Sequence, residues 1–377
     1  MAKAPNLKNG IRGILEKLEE QGTIMKYPVK IRPLVINNAE RKENEPAVYN
    51  LYAFEFPKGF MPLNSIGRAM ALSSGLNRVM SERLDSIIAS APDDVAAKAG
   101  RLKNWSYKKT SEHPQEVVAE AEKIASSAEF NSAFKGTNIA DLIRLARINA
   151  YVHDIGRQGE IDLLNLCSVE LSSIYGKGKD HAFESWKILK TAGVADQRIL
   201  LPVRYHGLMA YKDELEADPD YANLPDAGKE EMIRHIDCLR DADKRANLIS
   251  KAMNGMKGVG ELNNPRYKGD YDITPEALDG VVNGTFCDVK KESHYLDAML
   301  RWLSWFDQLV YKDAGAMKLN AELWSRTFEE AKMEFAASND KNKAPFERTS
   351  ALLKKARAAQ TQRLFGNQMS RLRGRER

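Results

Sequence analysis

The stretch IADLIRLARINAYVHDIGR, residues 139–157, decides the fold of the central part of the chain. Its apolar residues recur at the helical period, which predicts an amphipathic helix. The apolar stripe consists of Ile139, Leu142, Ile143, Ala146 and Ala150. His153 continues this stripe, so we expect its imidazole to point inward. Asp154 then stands at the helix end, and Gly156 breaks the helix and allows close backbone approach around a ligand.

The composition of the whole chain is that of a soluble globular protein. Of 377 residues, 43% are hydrophobic and 29% are charged, which suits one large or two modest domains. No apolar run approaches the roughly 18 residues that span a bilayer, and the N-terminus lacks the apolar core of a signal peptide. Three distant cysteines, Cys167, Cys238 and Cys287, disfavour a disulfide framework or a thiolate zinc site. We therefore expect a cytoplasmic protein.

The residue patterns predict four segments and a mainly α fold. Residues 1–105 are predicted to form a small α+β region, with an amphipathic helix over 1–25 and a pair of strands after it. Residues 106–260 are expected to form a helical core, and 261–337 a helical extension. The segment 338–377 is expected to be a basic, flexible tail.

The basic tail suggests partners of its own. Residues 341–377 contain eleven Lys and Arg but only two Glu, whereas the net charge of the whole chain is +5. Such a segment can contact nucleic acid or acidic lipid, or act only as a solubilising tail. Its arginines at 363, 371, 373, 375 and 377 also resemble the C-terminal signal of proteins exported by VirD4-type type IV secretion systems.

Histidines and aspartates on successive helices form the main candidate site. His153 and His206 fall on apolar helix faces, His113 and His181 begin helical segments, and Asp243 continues the Ile236–Leu239 face of a later helix. Buried carboxylates are costly without a compensating cation. Imidazole and carboxylate ligands without cysteine suit one or two divalent transition metals, such as manganese or iron.

Five segments in order resemble the HD-domain metal-dependent phosphohydrolase superfamily. They are HPQEVVAEAEKIA from His113, YVHDIGR, DHAFESWKIL, VRYHG and LRDADKRANL, and the resemblance covers about 112–250. It implies an HD-domain helical bundle around the metals. His113, His153, Asp154 and Asp243 would hold a first metal, with Asp154 bridging. His181 and His206 would complete a second site, although they can also be core histidines beside a single metal.

The resemblance implies hydrolysis of a nucleotide or related phosphate ester by a metal-bound hydroxide. Asp154 would be catalytic, and Arg157 and Lys244 would bind the phosphate. Asp180 and Asp241 are candidates for orienting ligand imidazoles, while His235 is expected at the surface or behind the ligands.

The sequence departs from the superfamily at the substrate pocket. Gln158-Gly159-Glu160 and Arg245-Ala246 replace the residues usual there, the GYP motif of cyclic-di-GMP relatives is missing, and so is the Glu-Asp pair of (p)ppGpp hydrolases. Two other functions stay open. One is a nucleic-acid-associated or type IV-secreted interaction protein with a subsidiary HD core, and the other is a di-iron oxygenase.

Overall fold

The structure, a computed structural model, is mainly helical, which confirms the predicted mainly α class. It describes residues 30–37, 48–55, 63–134, 137–157, 181–208, 211–258, 273–285, 292, 294–336 and 343–375. The helix predicted over 1–25 lies outside these ranges. Within them, no helix combines the length and the apolar character that crossing a membrane requires.

Two antiparallel strands precede the helices. Strand β1 (Lys30–Asn37) pairs with β2 (Val48–Glu55), and the register sets Lys30 opposite Glu55. Both strands are rich in β-branched and aromatic residues, which favour extended backbone.

The chain divides into two compact units, Met1–Ala242 and Asp243–Arg377. The division falls inside one helix, so the predicted core segment 106–260 extends across it. The helices of the first unit are α1 (Leu63–Ser90), α2 (Asp93–Tyr107), α3 (His113–Ala125), α4 (Ala128–Asn131), α5 (Ile139–Val152), α6 (His181–Thr191), α7 (Gln197–Tyr205), α8 (Tyr211–Glu216), α9 (Pro219–Ala222) and the first part of α10 (Asp226–Gly258). A π-helical turn, Lys108–Glu112, joins α2 to α3.

Helix α5 is central to the first unit because it packs against both α3 and α7. The side chain of Asn138 caps its N-terminus by accepting a hydrogen bond from the Ala140 backbone N–H at 3.0 Å. Of its predicted stripe, Leu142, Ala146 and Ala150 are buried, Ile143 is half-buried and Ile139 is 52% exposed. The buried stripe places the C-terminal end of α5, where the His153-Asp154 pair stands, inside the unit.

Helices α7 to α10 pack around an apolar cluster of the first unit, which contains Leu201, Tyr205, Tyr211, Leu215, Tyr221, Met232 and Ile236. Two buried tyrosines in it are satisfied by carboxylates. Tyr205 donates to Asp218 and Tyr211 donates to Asp237, each at 2.8 Å. The first bond holds the C-terminal end of α7, whose C-cap is His206, and the second joins α8 to α10.

The second unit contains the rest of α10 together with α11 (Pro275–Asn283), α12 (Tyr295–Ser304), a 3₁₀ turn (Trp305–Gln308), α13 (Ala314–Ala336) and α14 (Lys343–Arg375). Its core is built around Trp302, Phe306 and Trp324, which are almost completely buried. His294, to which the sequence assigned no role, is the N-cap of α12 and forms a capping box with Asp297.

Helix α14 occupies most of the segment that was predicted to be a flexible tail. Its side chains at Leu353, Ala356 and Leu364 are buried in the core of the second unit. Arg363, one of the arginines of the predicted secretion signal, forms a two-bond ion pair with Asp307 at 2.9 Å. The prediction of flexibility was wrong for this stretch because the high basic charge concealed an apolar stripe at helical spacing.

Gln360 links α14 by hydrogen bonds to other elements of the second unit. Its side chain is fully buried, and its Oε1 accepts from Asn320 and from Trp324 at 3.1 and 2.8 Å. Its Nε2 donates to the Leu303 carbonyl and to Asp307 at 2.7 and 3.0 Å. The side-chain amide therefore satisfies buried groups from several elements at once.

We predict that Gln360→Leu lowers the free energy of unfolding by about 2–4 kcal/mol, because it leaves several buried polar groups without partners. Urea unfolding followed by tryptophan fluorescence would measure the loss. Gln362→Leu, an exposed change two residues away, is the matched control and should stay within about 0.5 kcal/mol of the wild type. Equal stability of the two variants would contradict this role for Gln360.

Candidate metal centre

The turn that carries His153 and Asp154 is held at close range by neighbouring helices. Ser73 of α1 donates to the Ile155 carbonyl at 3.0 Å, and the Gly156 N–H donates to Ser185 of α6 at 2.9 Å. A Cβ at position 156 would lie 2.4 Å from the backbone nitrogen of Ser185. Glycine is therefore required here by the close approach of α6, whereas the sequence predicted close approach around a ligand.

A second contact ties α5 to α7. Pro202 lies inside α7 and has no N–H, so the carbonyl four residues earlier, that of Arg198, lacks its usual helical donor. The buried side chain of Asn149 on α5 donates to that carbonyl at 3.0 Å. This hydrogen bond joins the last turns of α5, the helix that precedes His153, to the first turn of α7, the helix that precedes His206.

Four imidazoles surround the fully buried carboxylate of Asp154. The Nε2 atoms of His153 and His113 lie 3.4 and 4.0 Å from its Oδ2. The Nε2 atoms of His181 and His206 both lie 3.6 Å from its Oδ1. The structure therefore brings together five of the predicted site residues around one oxygen pair.

Backbone carbonyls set the tautomer of two imidazoles. His153 Nδ1 lies 2.7 Å from the Ala150 carbonyl, and His206 Nδ1 lies 2.7 Å from the Val203 carbonyl. A carbonyl oxygen can only accept, so in each ring Nδ1 carries the hydrogen. The Nε2 lone pair of each ring is then directed towards Asp154, which is the tautomer that binds a metal.

His181 has the opposite tautomer because of Arg157. The Arg157 guanidinium donates to Asp154 Oδ2 at 2.9 Å and lies 3.1 Å from His181 Nδ1. Arginine can only donate, so His181 Nδ1 is the acceptor and its Nε2 carries the hydrogen. In this arrangement His181 cannot use Nε2 as a metal ligand.

His113 begins α3, and the sequence left open whether this position is exposed. The residue is buried, at 3% exposure. The carboxylate of Glu116, one turn later, lies 3.6 Å from His113 Nδ1, and the imidazole lowers the pKa of Glu116. Glu116 is thus positioned to favour the tautomer of His113 that carries its hydrogen on Nδ1. The Nε2 lone pair is then directed towards Asp154.

The charge balance of the site favours an ionised carboxylate beside a neutral His206. Burial alone would raise the pKa of Asp154, but the Arg157 guanidinium holds it well below its usual range. Burial lowers the pKa of His206, although Asp154 partly opposes this effect. An anionic oxygen and a neutral nitrogen are the forms in which these groups bind metal ions.

The arrangement fits a divalent metal better than a hydrogen-bond network. Separations of 3.4–3.6 Å between Nε2 and carboxylate oxygens are longer than hydrogen bonds. Ligand atoms about 2.1 Å from a shared ion would lie about 3.0–3.4 Å apart. Asp154 Oδ1 and His206 Nε2 are buried and have no hydrogen-bond partner. His153, Asp154 and His206 place their ligand atoms within 4.8 Å of one another, so they can hold an ion.

The remaining predicted residues are Asp180, Asp241, Asp243 and Lys244. Asp243 and Lys244 are on α10 at the start of the second unit, and their roles as ligand and phosphate contact stay predictions. Asp241 is buried on the same helix, at 1% exposure, and Asp180 lies outside the described residues.

His235 was expected at the surface or behind the ligands. It is instead buried in an aromatic pocket, with ring centroids 5.9 Å from Phe130 and 4.9 Å from Phe134. Burial lowers the pKa of His235 to about 4. It is therefore a neutral core residue at pH 7.

Four supporting residues were not foreseen: Ser73, Glu116, Asn149 and Ser185. Glu116 had a signal, because a carboxylate three residues after a histidine on a helix lies beside it. Pro202 within a helical pattern signalled a missing hydrogen bond, but the sequence does not identify the distant side chain that replaces it.

No family model, curated protein or solved structure matches the chain.

We predict that Asn149→Leu lowers the free energy of unfolding by about 1–3 kcal/mol, because it leaves the Arg198 carbonyl, which has no helical donor within α7, without a hydrogen bond. Adding Pro202→Ala would restore a backbone N–H that can bond to this carbonyl. The loss caused by Asn149→Leu should therefore be smaller in the Pro202→Ala background. Urea unfolding of the four proteins in this cycle measures the difference, and equal losses in both backgrounds would refute the link.

We also predict that Arg157 limits the number of metals bound. With Arg157 in place, the wild-type protein should bind about one divalent ion per chain, whereas Arg157→Ala should bind about two, because His181 Nε2 becomes available. Metal analysis after equilibration with Mn²⁺ measures this ratio. The gain should vanish in the Arg157→Ala/His181→Ala double variant.

Arg204→Ala, which removes a guanidinium paired with Asp218, is the control and should leave the ratio of metal to protein unchanged. Two ions in the wild type would contradict the prediction.

Proposed function

We propose that this protein is a metal-dependent phosphohydrolase or phosphodiesterase. The observation that carries the proposal is the fully buried carboxylate of Asp154, which is surrounded by imidazoles. Two of these, His153 and His206, have Nε2 lone pairs directed at the carboxylate. Such a constellation of nitrogen and oxygen donors is suited to a divalent transition ion.

The likeness of five sequence segments to the HD-domain superfamily supports the same activity. In the order of the chain, these segments supply His113, His153-Asp154, His181 and His206, and these residues meet at one point of the first unit. Residues that are distant in sequence but adjacent in space are what the superfamily pattern implies. On this proposal Asp243 completes the ligand set, and the fold is an HD-type bundle.

The accessible side of the site favours an anionic substrate. The side chains of His153, Asp154 and His206 are fully buried, whereas those of Arg157 and His181 are 14% and 18% exposed. A substrate would therefore approach past a guanidinium and an imidazole. The planar fork of Arg157 can bind two oxygens of one phosphate, which positions the phosphorus above the buried carboxylate.

The chemistry of this proposal divides between the chain and an ion. When bound, a divalent metal lowers the pKa of a coordinated water and withdraws charge from phosphate oxygens. The chain contributes the charge and the orientation of the site. Asp154 supplies negative charge, the Ala150 and Val203 carbonyls fix two imidazoles, and Arg157 binds and orients the phosphate. A nucleotide is the proposed substrate class.

We predict that His153→Ala and His206→Ala each lose most bound metal and lower hydrolysis at least about 100-fold. Metal analysis and phosphate release from nucleotides, together with cleavage of bis(p-nitrophenyl) phosphate, measure the two effects. The matched control is His235→Leu, which removes a buried histidine of the same unit that faces two phenylalanines. This control should retain metal and activity.

The alternative outcomes separate the competing functions. Metal binding with oxygen uptake on substrate addition, and no phosphate release, would favour the oxygenase. Full hydrolytic activity of His153→Ala would overturn the proposal. Absence of bound metal after equilibration with Mn²⁺, Fe²⁺ and Zn²⁺ would overturn it as well.

A further inference from the structure

A basic face of α14 carries charge that the rest of the described second unit does not neutralise. Lys354, Lys355 and Arg357 are exposed, and among the described residues none of them forms an ion pair. Other cations of this unit are neutralised: Arg301 pairs with Glu292, and Arg363 pairs with Asp307. Exposed cations without nearby carboxylates attract anionic partners.

Two of these cations line a groove between α13 and α14. The groove has a volume of about 700 Å³, and its lining consists of Phe328, Lys354, Arg357, Ala358, Thr361 and Gln362. Within this lining there is no acidic side chain. Ammonium, guanidinium, hydroxyl and amide groups are the donors that contact phosphate oxygens, while the Phe328 ring offers an apolar surface.

We propose that this groove, the α13–α14 groove, binds single-stranded nucleic acid through its sugar–phosphate backbone. Lys354 and Arg357 are three residues apart on one helix, so they lie on the same side of α14 and can contact one backbone. Phe328 of α13 lines the same groove and is only partly buried, so an unpaired base can stack on its ring. The bases of a duplex are stacked on each other, so a duplex would use only the cations.

The packing of α14 argues against an acidic membrane as the occupant. A helix that lies in a membrane interface buries an apolar face among the lipids. The apolar face of α14, with Leu353, Ala356 and Leu364, is already buried in the core of the second unit. Over residues 347–364, where the structure describes the side chains of α14, those left exposed for a partner are mainly charged and polar, and this composition suits a phosphate backbone.

The groove also places the predicted nucleic-acid contact on a folded helix. The sequence placed that contact in a flexible tail over 341–377, whereas the described part of α14 holds Lys354 and Arg357 on a helix fixed by Gln360. Binding here does not depend on the metal centre, so it can be tested separately from hydrolysis.

The test uses the full chain and a fluorescein-labelled oligothymidylate of about 20 nucleotides, followed by fluorescence anisotropy at several salt concentrations. The double charge reversal Lys354→Glu/Arg357→Glu should weaken binding at least about tenfold at low salt. It should also reduce the slope of log K against log salt by about 1.4, the value for two lost phosphate contacts. Phe328→Leu, which keeps an apolar side chain, should weaken binding to the single strand but leave binding to a duplex unchanged.

The matched control is Lys318→Glu/Lys332→Glu, which makes the same charge change at exposed positions on α13 outside the groove. It should change affinity less than about threefold. Equal weakening by the two double reversals would overturn the proposal, since net charge alone would then explain binding. Absence of oligonucleotide binding by the wild type, or binding only to phosphatidylserine vesicles, would overturn it too.

Discussion

The need to compensate the buried charge of Asp154 governs the first unit. A carboxylate without solvent contact is costly unless cations and hydrogen bonds surround it. Arg157 supplies one direct ion pair, and the imidazoles supply polar surroundings that an ion can complete. The local structure then follows, because each of these groups must be held at a fixed distance from one oxygen pair.

That requirement explains features that would otherwise weaken the fold. Pro202 removes a helical hydrogen bond from α7, and the side chain of Asn149 on α5 donates to the Arg198 carbonyl in its place. The exchange replaces a bond within one helix by a bond between two. Gly156 likewise gives up side-chain packing so that the turn can approach the backbone of α6. In both cases an element loses a local stabilising interaction, and the elements that carry site residues are held in a fixed relative position.

The sequence predicted those parts of the site that depend on helical periodicity. His153 was expected to face inward because it continues the stripe of α5, and it is fully buried. Asn149 was not foreseen, because its hydrogen bond joins residues 49 positions apart in the sequence. For α14, eleven basic residues in the segment concealed the apolar positions Leu353, Ala356 and Leu364. Net charge describes a segment's partners, whereas periodicity decides whether it folds.

On the proposed function, the tautomer of His181 would connect substrate binding to metal binding. Arg157 cannot hold Asp154 and His181 while also holding a phosphate with both arms of its fork. An anionic substrate that draws Arg157 away would free His181 Nδ1 and leave Asp154 with less positive charge nearby. Both changes favour the binding of a second cation. The His181 imidazole can then bind that cation, and the negative charge of Asp154 again needs a positive charge beside it. Substrate and second ion should therefore strengthen each other's binding, and this coupling must act equally in both directions.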